Sequence, residues 1–120
     1  DKGLAKRKSI ALNYYNAFKN KSFIKGQSGY LDGHAYHLYV IEVENRLEFY
    51  NFLKENNIFT QIHYIPCHLM PYYKNKGWKE GDFPVSENYY KHCISLPVFS
   101  NLTEIEQNFV INKISEFYNE

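Results

Sequence analysis

The run Ile58 to Ile65, Ile-Phe-Thr-Gln-Ile-His-Tyr-Ile, reads as a strand with a forced end, because Pro66 offers no N–H to a sheet ladder. Past Pro66 the chain turns into Cys67-His68-Leu69-Met70-Pro71-Tyr72-Tyr73, which places a thiol, an imidazole and two phenols at that strand end. Loops at strand ends are where proteins built of helices and strands hold small molecules. Imidazoles donate and accept hydrogen bonds and exchange protons near neutrality, so His63 and His68 suit a sugar or carboxylate ligand. The run holds no obvious nucleophile-and-base pair and no cofactor anchor.

The flanking segments determine how such a strand is covered. Lys2 to Asn20 has helical periodicity, with Leu4, Ala11, Tyr15 and Phe18 on its inward stripe. Gly26, Gly29 and Gly33 punctuate a turn region from Lys21 to Gly33 that leads into a short strand. His34 to Val43 is aromatic and β-branched and predicts a longer strand. Asn45 and Glu48 make a capping-box pattern for a helix with Phe49, Phe52 and Leu53 buried, and Asn57 suits the left-handed residue that ends it. A helical turn at Pro71 to Lys74, an exposed loop from Lys76 to Phe83, a helix from Pro84 to Cys93 and an extended piece from Ile94 to Val98 come next. Thr103 and Glu106 form the strongest capping box, opening a last helix with Phe109, Val110, Ile114 and Phe117 inward. The order helix, strand, strand, helix, strand, helix, strand, helix favours a two-layer α+β sandwich, a small sheet covered by helices. No glycine-rich phosphate fingerprint follows any strand, which excludes Rossmann and P-loop readings.

With 120 residues, 44% of them hydrophobic, the chain is one domain with enough apolar material for a core. Its 14 basic and 13 acidic residues are interspersed, giving a formal charge of +1 and no broad positive field for nucleic acid. Two cysteines, no signal peptide and no long apolar run predict a reducing cytoplasm, free thiols at Cys67 and Cys93, and no membrane partner. Asp1 begins the chain with neither methionine nor leader, which predicts a piece of a longer protein; a processed, self-sufficient protein is the alternative.

The strand from His34 to Ile41, the run from Gln61 to Tyr73, the helix start Phe83-Pro84-Val85-Ser86-Glu87, then Ser95-Leu96-Pro97 and Leu102-Thr103-Glu104 occur in this order in the sugar aminotransferases of the DegT/DnrJ/StrS type. The chain resembles the carboxy-terminal small domain of such an enzyme over essentially all of residues 1–120. The resemblance implies the small-domain fold of the aspartate aminotransferase (fold type I) superfamily, a mostly antiparallel small sheet covered by helices. It also implies a pyridoxal phosphate reaction in which glutamate supplies an amino group to a UDP-linked 4-keto-6-deoxy sugar, as in pseudaminic acid or related surface-sugar synthesis, in a cytoplasmic homodimer. In the family the Schiff-base lysine, the acidic group under the pyridine nitrogen and the phosphate-binding groups belong to the large amino-terminal domain. The lysines here sit on polar helix faces and loops, so the chain alone is expected to be inactive. By position in the matching motif, His63, Tyr64 and His68 are expected on the substrate side, with Tyr73 as a wall of the sugar pocket. Tyrosine rings can cover the apolar face of a deoxysugar while their hydroxyls bond its polar edge. His34 and His37 read as structural, and Cys67 stands where the family pattern has an aliphatic residue.

Three rival readings use the same residues. His63, Cys67, His68, His92 and Cys93 supply enough donors for zinc, but Pro66 and the β-rich run break the helical spacing that would join His63 to Cys67, and no Cys-x-x-Cys pair exists. A thiol hydrolase using Cys67 with His68 is opposed by adjacent residues of an extended loop pointing apart. A noncatalytic binding or dimerisation module would use the many aromatic residues as a contact face.

Overall fold

The computed structural model describes residues 2–25 and 31–120. Asp1, Gly26 and Gly29 lie outside them. The elements are α1 (Lys2–Phe18), β1 (Ile24–Lys25), β2 (Tyr39–Val43), α2 (Arg46–Glu55), a 3₁₀ turn (Cys67–Leu69), α3 (Pro71–Lys74), α4 (Pro84–His92), β3 (Cys93–Leu96) and α5 (Glu104–Tyr118). The strands form one antiparallel sheet in the order β1-β2-β3, so the fold is α+β as expected.

Strand alternation divides this sheet into two working faces. Tyr39, Ile41 and Val43 are buried on β2, and the register sets Tyr39 opposite Leu96 and Ile41 opposite Ile94. Onto this face α1, α2 and α5 bring Tyr14, Phe18, Phe49, Leu53, Val110 and Ile114, which with the strand residues make the core. All four residues of β3 are nevertheless buried. Cys93 and Ser95 on its second face are covered by the chain around His63, to which both make hydrogen bonds.

Local chemistry explains where elements depart from their sequence signals. The inward stripe of α1 is Ile10, Ala11, Tyr14 and Phe18, with Leu4 and Tyr15 only half-buried. Tyr14 wins the interior position because its ring meets Tyr39 at 5.2 Å while its hydroxyl donates to the Pro97 carbonyl at 2.9 Å. Burial pushes the Tyr39 phenol up to about 12, so the core keeps it neutral. The strand expected from His34 begins only at Tyr39. Tyr36 takes a left-handed backbone (φ 48°) and buries its ring, its N–H donating to His34 Nδ1 and its hydroxyl accepting from the Leu31 N–H, which ends extended pairing there.

The Asn45–Glu48 capping box does not form. Asn45 is left-handed (φ 51°) and its side chain caps nothing, whereas a capping side chain requires an extended backbone at that position. Asn57 does end α2 with φ 61°, and the Ile58 N–H closes the turn on the Leu53 carbonyl at 2.8 Å. Thr103 caps α5, its hydroxyl accepting from the Glu106 N–H at 3.1 Å. Inside α5 the expected Phe109 is outward, 44% exposed, and Gln107 is buried in its stead. Gln107 is satisfied there, donating from Nε2 to the Ile10 carbonyl at 2.8 Å and accepting from Asn13 Nδ2 at 3.2 Å, which bolts α5 to α1.

The expected strand from Ile58 to Ile65 is the largest correction. The segment pairs with the sheet through a single bridge, Gln61 to Ser95, with both backbone bonds made. Ile62 and Ile65 remain exposed, so no burial rewards further pairing, and the His63 carbonyl accepts from the Cys93 thiol instead of extending a ladder.

Candidate functional site

The bridge at Gln61 anchors the next few residues against β3. Two positions on, the His63 ring lies with Nδ1 2.9 Å from the Ser95 hydroxyl, itself buried on β3. That contact leaves Nε2 as the nitrogen able to meet a ligand, and Ser95 selects the tautomer by donating or accepting. His63 lines a slot of about 230 Å³ with His37, Gln61, Phe59 and Phe99. Tyr64 is joined to it through a cis peptide, 69% exposed, its ring 4.6 Å from the His63 ring.

His68 and Tyr73 have other partners. His68 is 7% exposed, and its Nε2 lies 2.6 Å from Oε1 of Glu87, a carboxylate that α4 also buries. The same carboxylate accepts from the N–H groups of Gly81 and Phe83. Hydrogen bonding from His68 first, and then from those N–H groups, holds the Glu87 carboxyl below its ordinary value of 4.5. A lowered folded-state value means stability that is complete above the unfolded value and lost as the pH falls through the folded one. Urea unfolding from pH 7 to pH 3 is therefore expected to show an acid-side loss below about pH 4.5 that the Glu87→Gln variant lacks. Identical acid limbs would contradict the assignment. Tyr73 stands on α3, 42% exposed, with its ring edge-on to Tyr72 at 5.0 Å.

Of the residues singled out from sequence, the structure thus brings His63 and Tyr64 together, sets His68 against Glu87, and leaves Tyr73 on α3 with its ring against Tyr72. It adds Ser95, Gln61 and His37 to the first group. His37 has the sequence setting of a structural residue; its place in the slot comes from the late start of β2, which no strand periodicity announces. Ser95 carries a signal only as part of the Ser95-Leu96-Pro97 motif.

His92 and the Cys93 thiol are spent elsewhere. His92 donates from Nδ1 to the Asn88 carbonyl, and Cys93 is buried, which pushes its thiol up. Among the described residues no group of three or more His, Cys, Asp and Glu is arranged for a metal ion. Cys67 is exposed, but the Nε2 of neighbouring His68 is committed to Glu87. Among the described residues no helix is long and apolar enough to cross a membrane. No lysine among the described residues is buried, so none is enclosed as a pyridoxal phosphate anchor would be. Lys25 borders a cleft of about 270 Å³ but shares it with Glu42 and Glu44, whose carboxylates oppose a phosphate. Lys8, Lys76 and Lys113 rest on Asp32, the Tyr72 ring and Glu116 at the surface. A separate apolar groove of about 540 Å³ runs between Phe59, Phe99, Ile105 and Phe109.

This arrangement of sheet, helices and loop is that of known aminotransferases of fold type I. It is similar to S. venezuelae DesV, with a TM-score of 0.91, 26% identity and coverage of 98% of this chain and 32% of that one. A DegT/DnrJ/EryC1/StrS aminotransferase from Brucella abortus is similar at a TM-score of 0.84 and 31% identity, again over 98% of this chain and 32% of that one. In sequence the chain is 38% identical over 120 residues to the spore coat polysaccharide biosynthesis protein SpsC of Bacillus subtilis, covering 92% of this chain and 31% of that protein. It is 33% identical over 114 residues to the dTDP-3-amino-3,6-dideoxy-alpha-D-galactopyranose transaminase of Aneurinibacillus thermoaerophilus, covering 93% and 31%. The chain belongs to the DegT/DnrJ/EryC1/StrS aminotransferase family, whose pattern matches residues 1–115. It spans about a third of the length of these relatives.

Proposed function

We propose that the chain is the carboxy-terminal small domain of a nucleotide-sugar aminotransferase that moves an amino group from glutamate to a UDP-linked 4-keto-6-deoxy sugar, in pseudaminic acid or related surface-sugar synthesis. The observation that carries this reading is the His63 slot. It joins an imidazole held by Ser95 to Gln61 and His37, hydrogen-bonding groups suited to sugar hydroxyls, with the exposed Tyr64 ring beside it. Family membership over nearly the whole chain supports the reaction class, and a relative named as a dTDP-amino-sugar transaminase supports a nucleotide-linked substrate. Aminotransferases of this family typically use pyridoxal phosphate, which supplies the electron sink for moving the amino group. In this reading the large amino-terminal domain of the family anchors the cofactor. The enzyme is a cytoplasmic homodimer in this reading.

Within the domain, His63 meets the sugar through Nε2, Tyr64 and Tyr73 form walls, and His68 serves by holding the loop on Glu87. The test is direct. The enzyme of the relatives' full length, supplied with pyridoxal phosphate, glutamate and a UDP-linked 4-keto-6-deoxy sugar, is expected to yield the amino sugar by mass spectrometry, whereas this chain alone yields none. Amination of the dTDP-linked sugar only would overturn the nucleotide assignment, and amination of no keto sugar would overturn the reading.

A further inference from the structure

We propose that Glu87 is the clasp of the loop bearing Tyr73, a positioning residue that shapes the sugar-side wall without touching the sugar; this role rests on the sugar-site reading above. Both ends of segment 69–80 are held at one carboxylate. At one end His68 Nε2 lies 2.6 Å from Glu87 Oε1, and at the other the Gly81 N–H donates to Oε1 and Oε2 at 2.9 and 3.0 Å. The Phe83 N–H adds a longer bond at 3.4 Å. A loop of this length with its ends together is an Ω-loop, a form often found at functional sites.

Burial does not hold this loop. Every residue from 71 to 80 is exposed, and no residue of the core cluster lies between His68 and Glu87. What order it has comes from its own short bonds, such as the Trp78 N–H to the Tyr73 carbonyl at 3.2 Å, and from a ring sequence in which Trp78 meets Phe83 and Phe83 meets His68. A glutamate in the first turn of α4 is explained by the helix dipole alone. Its burial against an imidazole from one end of the loop and an amide from the other is not. Charge-assisted bonds to a buried carboxylate are short and stiff, so they fix both loop ends and thereby the setting of α3, where Tyr73 stands. Loss of the carboxylate frees both ends while leaving the sheet and its three covering helices intact.

Hydrogen exchange followed by mass spectrometry on this chain, as wild type, Glu87→Gln and Glu87→Ala, tests the clasp. Amides of residues 70–83 are expected to exchange about tenfold faster in Glu87→Ala and less so in Glu87→Gln, with α5 and β2 unchanged. Unaltered exchange in 70–83, or equal acceleration in α5 and β2, overturns the clasp. In the full-length enzyme, Glu87→Ala is expected to raise KM for the keto sugar about tenfold with kcat within about twofold and the glutamate KM unmoved, and Glu87→Gln to restore part of the loss. Equal losses toward sugar and glutamate overturn the positioning role. Should the unaltered enzyme aminate no nucleotide sugar, the functional reading and the positioning role fall together, and the exchange pattern alone then decides the clasp.

Discussion

Replacing Phe49 with alanine is expected to lower the unfolding free energy by about 3–5 kcal/mol, the usual cost of emptying an aromatic core position. Phe49 is 0% exposed and sits where α2 meets α5, its ring 5.5 Å from both Phe117 and Tyr118. Phe52 packs on Phe117 at 5.2 Å and Phe23 stacks on Tyr118 at 4.3 Å, so one ring deletion loosens contacts from three parts of the chain. Backbone on either side is helical and cannot collapse into the void, which places the cost toward the upper end of that range. For a domain of this size such a loss corresponds to a fall in Tm of about 10–20 °C. Phe109→Ala is the control: that ring is half exposed and is expected to cost no more than about 1 kcal/mol. Urea denaturation of both variants, read as midpoint at constant slope, checks the pair. Equal midpoints would mean that the α2–α5 aromatic cluster does not carry the fold.

The contrast between these phenylalanines shows what the sequence can convey. Helical periodicity puts Gln107 on the stripe of Val110 and Ile114 and turns Phe109, two residues further on, to the other side of the helix, and hydropathy chooses the wrong one. Gln107 goes inside because two groups of α1, the Ile10 carbonyl and the Asn13 amide, satisfy its side chain there, and those partners lie more than ninety positions away in the chain. Signals whose partner is local are legible: Asn57 ends α2, and Thr103 caps α5. Asn45 has the local signal but a left-handed backbone, because its turn comes directly after β2. The segment after Asn57 has the composition of a strand, yet a strand needs an edge to pair with, and β3 offers one only at Ser95.

The candidate site divides along the same line. His63 is singled out in sequence by its family motif and by its place three residues before Pro66, at the end of an apolar run. Ser95, which holds it, is a common residue on a buried strand and announces nothing until the register is known. His68 looks equivalent to His63 in sequence. The structure separates them by their partners: a hydroxyl that leaves one ring nitrogen available at a slot, against a buried carboxylate that commits the other ring to the loop. Glu87 has the setting of an ordinary helix-start acid, and only the return of residue 81 to the same place as residue 68 reveals its reach.

From that separation comes the largest expected effect on activity. In the full-length enzyme, His63→Ala is expected to lower kcat/KM for the keto sugar by about 10–100-fold, the loss of one hydrogen bond worth about 1.5–3 kcal/mol in a slot that holds its ring fixed. The reaction with glutamate alone, measured without sugar, is expected to stay within about twofold, since His63 meets only the sugar in this scheme. Ser95→Ala leaves the imidazole present but frees its tautomer and its rotation, so its cost is smaller, about threefold to tenfold, and falls on the same substrate. His63→Gln keeps a donor and an acceptor near the position of Nε2 and should fall between them. The ordering is the informative part. If His63→Ala depresses both reactions equally, the ring supports the sheet edge at Ser95 and nothing more; if Ser95→Ala costs more than His63→Ala, the hydroxyl is the group that meets the sugar and the histidine merely covers it.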